Sequence, residues 1–240
     1  MQPDDAPDDA PDDESTSAPK FELKGFRWDI YRARRTALEM LRDRMYMISE
    51  SDINQTEADF QSMFPGDERT YEEFMDAHSE KADGLTILAQ NRDSPTDSVL
   101  VFWPRDEKVG IKQIRRYVER MTTMNVTCAI IISREPLTSF AAKGAIELAS
   151  EHKIKLENFM TSSLFTNITH HNLVPQHVLL TKTERITLLK RYKLTADKLP
   201  RIIKDKDPIC KYYGAERGEI FKIVRASETA GKYVTYRVVV

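Results

Sequence analysis

The sequence predicts two units in succession, of α/β and then α+β class: an N-terminal mixed β-sheet flanked by helices, followed by a small C-terminal α+β domain. Three observations predict this. Val126 to Ile132 is an uninterrupted apolar run, which marks a strand covered on both faces. Around it, from Gly84 onward, two strand-like runs are followed by helix, strand, helix and strand, the order of a mixed sheet flanked by helices. Near the end of the chain, Asp207-Pro208 opens a short helix, and two β-rich runs follow it around Ser227 to Gly231.

Taken in order, Met1 to Lys20 repeats Ala-Pro-Asp-Asp and carries no large apolar residue after Met1, so it is expected to be a disordered acidic tail. Trp28 to Ile48 reads as an amphipathic helix: Trp28, Tyr31, Leu38, Leu41, Met45 and Ile48 form the core stripe, and Arg27, Arg32, Arg34, Arg35, Arg42 and Arg44 fill the other, solvated face. A short helix is predicted over Thr56 to Phe64 with Phe60, Met63 and Phe64 inward. Thr70 and Glu73 make a capping box for another over Tyr71 to His78.

Leu85 to Ala89 and Ser98 to Trp103 read as strands, and Val109 to Met124 as a helix with Ile111, Ile114, Val118 and Met121 on one face. Thr138 caps a helix running to about Glu151, and Ile154 to Phe159 is the last strand of this sheet. These elements define an N-terminal domain over 21–163 and a C-terminal domain over 164–240. The apolar residues of Leu164 to Leu173 predict a packed junction. Beyond it come a strand over Val174 to Leu180, a helix capped by Thr181 and Glu184 that buries Ile186, Leu188, Leu189 and Tyr192, and the closing helix and hairpin. Lys232 to Val240 is expected at a sheet edge, open to a partner.

The net charge of −2 conceals an asymmetry. Residues 1–20 hold seven acids against one lysine, and residues 172–240 hold fifteen Lys or Arg against seven acids. No apolar run approaches the roughly 18 residues of a membrane span, and the acidic start does not resemble a signal peptide. Two cysteines, Cys128 and Cys210, propose no disulfide framework.

Four forms of chemistry bear on the residues. A nuclease-like sheet needs paired carboxylates and a lysine on adjacent strands around one metal. Asp83 offers the first carboxylate, but Ser98 to Trp103 carries none, and Asp106-Glu107-Lys108 lies past Pro104. The histidines (His78, His152, His170, His171 and His177) lack zinc-ligand spacing. No glycine-rich phosphate loop and no Gly-x-Ser-x-Gly elbow occur. The residues therefore point to no catalytic, cofactor or metal site, and binding remains. The basic end is read as docking on a protein, with free nucleic-acid binding as the alternative.

Several runs carry a family resemblance: Leu199-Pro200-Arg201-Ile202, Asp207-Pro208, Tyr213-Gly214, Arg217-Gly218-Glu219, and Ser227-Glu228-Thr229-Ala230-Gly231 with Tyr233, Tyr236 and Arg237. Upstream, Asn167-Ile168-Thr169-His170-His171, Leu173-Val174-Pro175 and Leu188-Leu189-Lys190-Arg191-Tyr192 extend it. Together they resemble the fifth common subunit of eukaryotic nuclear RNA polymerases, and the C-terminal part alone is similar to the corresponding small subunit of archaeal RNA polymerase.

The resemblance implies a non-catalytic subunit shared by RNA polymerases I, II and III, working in the nucleus and nucleolus. It implies partners in the largest subunits and neighbouring small common subunits, and an N-terminal lower-jaw domain beside downstream duplex DNA. Docking candidates are Arg201, Arg217, Glu228, Tyr233 and Arg237. DNA-proximal candidates are Arg134, Thr138 and Ser139, at a helix start that reads Thr138-Ser139-Phe140-Ala141 where the family has Thr-Pro-Ser-Ala. A divergent metal-dependent nuclease is the competing reading.

Overall fold

The computed structural model describes residues 25–65, 70–78, 84–94, 96–227 and 231–240. The acidic segment 1–20, Asp83 and Glu228 lie outside the described residues.

Helix α1 (Phe26–Asp43) buries Ile30, Ala33, Ala37, Met40 and Leu41. It ends five residues before the predicted Ile48. Met45 takes a left-handed φ of 69°. Met47 N then donates to Gln90 O at 2.8 Å and Arg92 N to Met45 O at 2.8 Å. The chain here satisfies its backbone by lying along a strand edge, which helix periodicity could not report. Short helices α2 (Glu50–Ile53) and α3 (Glu57–Met63) follow, the latter with a capping box between Thr56 and Asp59. Phe60 and Phe64 are buried as predicted, whereas Met63 faces out. Helix α4 spans Tyr71–His78, and Thr70 Oγ1 accepts from Glu73 N at 3.3 Å.

The first sheet contains β1 (Ile87–Gln90), β2 (Ser98–Phe102), β3 (Cys128–Ser133) and β4 (Lys155–Met160), in that spatial order. β1 runs antiparallel to β2, and the other pairs are parallel. The parallel pairs require crossovers, supplied by α5 (Ile111–Thr123) and α6 (Ser139–His152). Strand alternation sorts the core by face. Val99, Val101, Ile130 and Ile132 pack with α1, α3 and α4, while Leu100, Phe102, Ala129 and Ile131 pack on the α5 side. β3 is thus covered on both faces, as its apolar run predicts.

The second sheet contains β5 (Gln176–Leu179), the two-residue β6 (Arg201–Ile202), β7 (Ile220–Ser227) and β8 (Gly231–Val239), in the order β5-β7-β8-β6. Helix α7 (Lys182–Tyr192) sets Leu188 against Ile220 and Val238. Only this narrow strip is covered, so Ile186 and Tyr192, predicted inward, are exposed, as is Leu173 in the junction. The expected edge position of Lys232 to Val240 needs correction. β6 pairs with Val238 and Val239 and makes β8 interior at that end, and only its earlier part keeps a free edge.

Helix α8 (Pro208–Tyr213) is capped by Asp207, whose Oδ1 accepts from Ile209 N at 2.8 Å. It ends at Gly214 in the left-handed region, where a side chain is disfavoured. α8 serves both halves: Ile209 and Cys210 enter the core of the second sheet, and Tyr212 enters that of the first.

Candidate docking and nucleic-acid surfaces

The two sheets are joined by a largely buried polar lock. The Arg44 side chain is 6% exposed and closes it. Its Nη2 donates to Glu157 Oε2 at 2.7 Å and to Lys211 O at 2.6 Å, and its Nε donates to Tyr212 O at 2.7 Å. Lys155 Nζ reaches Gly214 O at 2.9 Å, Glu157 at 3.2 Å and Glu216 at 2.6 Å, and Glu216 also binds Lys204 at 2.6 Å. Burial alone would raise the Glu157 pKa, but Arg44 and Lys155 outweigh it and hold the carboxyl below its usual range. Burial likewise opposes the Lys155 charge, and Glu157 with Glu216 reverses the balance and raises that pKa.

A second cluster lies alongside. Tyr212 Oη donates to Asp43 at 2.7 Å, and Asn167 Nδ2 donates to Glu39 at 2.8 Å and to Tyr212 Oη at 3.0 Å. Burial and then Asp43 push the Tyr212 pKa up, so the phenol keeps its proton. The predicted solvated arginine face of α1 is corrected here. Arg44 is buried in the lock, and Arg34 is largely buried, donates to Gln55 Oε1 at 3.0 Å and has its pKa lowered by desolvation. Periodicity hid both, because their partners lie far away in sequence.

The docking candidates do not form one patch. Tyr233 and Arg237 share a face of β8, being four residues apart. Arg225 sits directly opposite Tyr233, and His177 faces the same side from β5. Burial lowers the His177 pKa, the hydrogen bond with Pro175 O and then the Asp207 charge work against that, and Arg225 and Arg237 lower it further. Arg225 and His177 therefore belong to this face and were missing from the candidates. The hairpin register alone brings them there. Arg201 pairs in register with Val238 on the opposite face. Arg217 lies in the turn before β7 with a loose 3.7 Å ion pair to Asp205. Glu228 lies outside the described residues.

At the other end, Thr138 caps α6, its Oγ1 accepting from Ala141 N at 3.2 Å, and Ser139 is exposed beside it. Arg134 is not a free cation. It pairs with Glu107 and lies 5.3 Å over the Tyr71 ring, while neighbouring Lys108 pairs with Glu135 at 3.6 Å. Of the residues weighed for metal chemistry, those described are occupied too: Glu107 by Arg134, Lys108 by Glu135, and Asp106 by Gln113. Among the described residues, no group of three or more His, Cys, Asp or Glu converges on a point, and no helix is long and apolar enough to cross a membrane.

Comparison with known proteins decides the family. Residues 28–121 match the family model described as RNA polymerase Rpb5, N-terminal domain, and residues 166–239 match RNA polymerase Rpb5, C-terminal domain. The chain is 42% identical to the DNA-directed RNA polymerases I, II, and III subunit rpabc1 of Dictyostelium discoideum, over 86% of this chain and 95% of that one. The chain belongs to the Rpb5 family.

It is 40% identical to the RPABC1 subunit of Caenorhabditis elegans polymerases I, II, and III, over 91% of this chain and 98% of the relative. It is 37% identical to the DNA-directed RNA polymerase V subunit 5A of Arabidopsis thaliana, over 87% of each. Rpb5 is a family of non-catalytic polymerase subunits. The competing nuclease reading falls with that membership.

Proposed function

We propose that this Rpb5-family chain is a nuclear subunit, nucleolus included, shared by RNA polymerases I, II and III. In this reading the unit over 164–240 seats on the largest subunit beside the small common subunits. The unit over 21–163 projects as part of the lower jaw along downstream duplex DNA. The observation that carries it is the lock between the sheets. A buried arginine bonded at once to a carboxylate on β4 and to the carbonyls of Lys211 and Tyr212 makes the first sheet a fixed arm on whatever the second docks to. The full-length likeness to subunits named for three polymerases supports the assignment of partners.

The docking face is that of Arg225, Tyr233 and Arg237; Arg201, on the opposite face, and Arg217, in the turn before β7, would meet the partner separately, and Glu228 stays a candidate outside the described residues. Its basic excess suits an acidic surface. The Thr138-Ser139 helix start faces DNA with free N–H groups, and the pairing of Arg134 with Glu107 keeps its grip weak. That suits a surface past which DNA must slide, since each unpaired cation would add a phosphate contact.

Tests address each half. Arg225→Glu with Arg237→Glu should release the chain from the largest subunit while its own melting temperature stays put; retention in the complex would refute the docking face. Arg134→Glu should weaken downstream-DNA retention by the assembled polymerase, and Glu107→Gln, which frees Arg134, should strengthen it. No change in either variant would remove the jaw assignment.

A further inference from the structure

The acidic N-terminal segment joins the fold at a point that bears on the jaw. Residues 1–20 hold seven acids against one lysine, and after four more residues the described fold begins at Gly25. The first turn of α1 is firmly seated. Phe26 packs on Tyr71 with ring centroids 6.0 Å apart and on Phe74 at 5.7 Å, and Arg27 lies 5.2 Å over the Phe74 ring. The same Tyr71 ring carries the Arg134 guanidinium at 5.3 Å. Phe26 and Arg134 also line one small cavity with Asp29, Thr161 and Ser162. The root of the acidic segment therefore lies one ring away from Arg134. Thr138 and Ser139 follow Arg134 within five residues, which span no more than about 18 Å.

This is the end of the first sheet at which its three parallel strands finish. Arg105 comes after β2, Arg134 after β3 and Thr161 after β4. Tyr71 ties that end to α4 by donating to Pro104 O at 3.0 Å.

The folded residues here are already balanced in charge. Arg105 pairs with Asp76 at 2.8 Å, Lys108 with Glu135 at 3.6 Å, and Arg134 with Glu107. Arg27 and Arg32 of α1 are matched in number by Asp29 and Asp106, and exposed Lys143 of α6 by exposed Glu147 one turn on. Glu72 and Glu73, in the first turn of α4, tip the balance toward acid. No surplus of positive charge remains for residues 1–20 to neutralise, so their carboxylates add net negative charge at this end. The covalent tether keeps them there. Glu14 precedes Phe26 by twelve residues and can stand no farther from it than about 45 Å at full extension. Tethering of this kind corresponds to a millimolar local concentration.

We propose that residues 1–20 are an electrostatic guard on the jaw. Their carboxylates sweep the space beside Arg134 and Ser139 and repel the phosphates of the downstream duplex, which shortens its stay. The guard acts on the DNA backbone and so carries no sequence preference. This rests on the jaw reading of the first unit and names what regulates its grip.

The test keeps the length of the segment and removes its charge: Asp→Asn at positions 4, 5, 8, 9, 12 and 13, with Glu14→Gln. Polymerase assembled with the neutralised chain should hold a downstream duplex at least about threefold longer than wild type near 0.05 M salt. The two should converge near about 0.5 M, where the screening length has fallen to about 4 Å. Retention of the chain itself in the polymerase should be unchanged, and removing residues 1–20 outright should act as neutralisation does. A gain from deletion that neutralisation fails to reproduce would make the effect steric and overturn the proposal. So would a gain of equal size at both salt concentrations, or no gain while Arg134→Glu and Glu107→Gln still shift DNA retention. Tighter binding to the largest subunit with DNA retention unchanged would move the segment's action to the docking face and overturn it as well. If neither neutralisation nor the Arg134 and Glu107 variants alter DNA retention, the jaw reading falls and takes this proposal with it.

Discussion

Replacing Arg44 tests the lock between the sheets. Arg44→Met keeps the length of the side chain and much of its packing against Phe159, whose ring lies 5.9 Å from the guanidinium. It strips Glu157 of its 2.7 Å partner and Tyr212 O of its donor, while Lys211 O keeps the Gly214 N–H at 3.0 Å. The Arg44 and Glu157 side chains are 6% and 16% exposed, so solvent replaces little of what is lost. Removing one partner of a buried pair costs about 3–5 kcal/mol. Lys155 remains 3.2 Å from Glu157 and takes up part of the uncompensated charge, which favours the lower end.

For a chain of this size about 3 kcal/mol corresponds to a fall in melting temperature of roughly 6–12 °C. The assay is thermal and denaturant unfolding of wild type, Arg44→Met, Glu157→Leu and the double variant. The cycle should give a coupling energy of about 1 kcal/mol or more, with the double variant more stable than Arg44→Met because no carboxylate is left unpaired. A single-variant loss below about 1 kcal/mol, the value of an exposed pair, would refute the lock.

Three further outcomes follow from the same contacts. Gly214 has φ +62°, and a Cβ there would meet the Arg44 guanidinium at 2.9 Å; Gly214→Ala should destabilise by at least about 1 kcal/mol, and an unchanged denaturation midpoint would contradict the geometry. A Cβ on Gly144 would meet the tip of the half-exposed Ile111 side chain, which can turn aside; since alanine gains about 1 kcal/mol over glycine inside a helix, Gly144→Ala should leave the denaturation midpoint unchanged or raise it, and a loss above about 1 kcal/mol would show that Ile111 cannot yield. The Glu157 and Glu216 carboxyls titrate below their usual range when folded. Their stabilisation is complete above the unfolded value of about 4.3 and is lost as pH falls from there toward the folded values. Melting temperature against pH should drop through that acid window in wild type and less steeply in Glu157→Gln.

Much of the fold was legible because it rests on local signals. The apolar run of β3, the capping boxes at Thr70 and Thr181, the Asp207-Pro208 helix start and Gly214 each act over a few residues, and each holds its predicted place. What escaped depends on distant partners. α1 stops early because residues 45–47 lie along β1, and Arg34 and Arg44 are buried because Gln55 and Glu157 await them. α7 shows Ile186 to solvent because its contact with the sheet is a narrow strip around Leu188. The docking candidates could be chosen by residue type but not arranged into a surface. Only the pairing of β6 with β8 separates Arg201 from Tyr233 and Arg237, and only that of β7 with β8 adds Arg225.

The most direct test of the account is to tag the full chain in cells, isolate it under gentle salt, and identify the largest polymerase subunits that accompany it. The largest subunits of RNA polymerases I, II and III should all co-purify, and all three should be lost together with Arg225→Glu and Arg237→Glu. Recovery of the folded chain without any of them would contradict it.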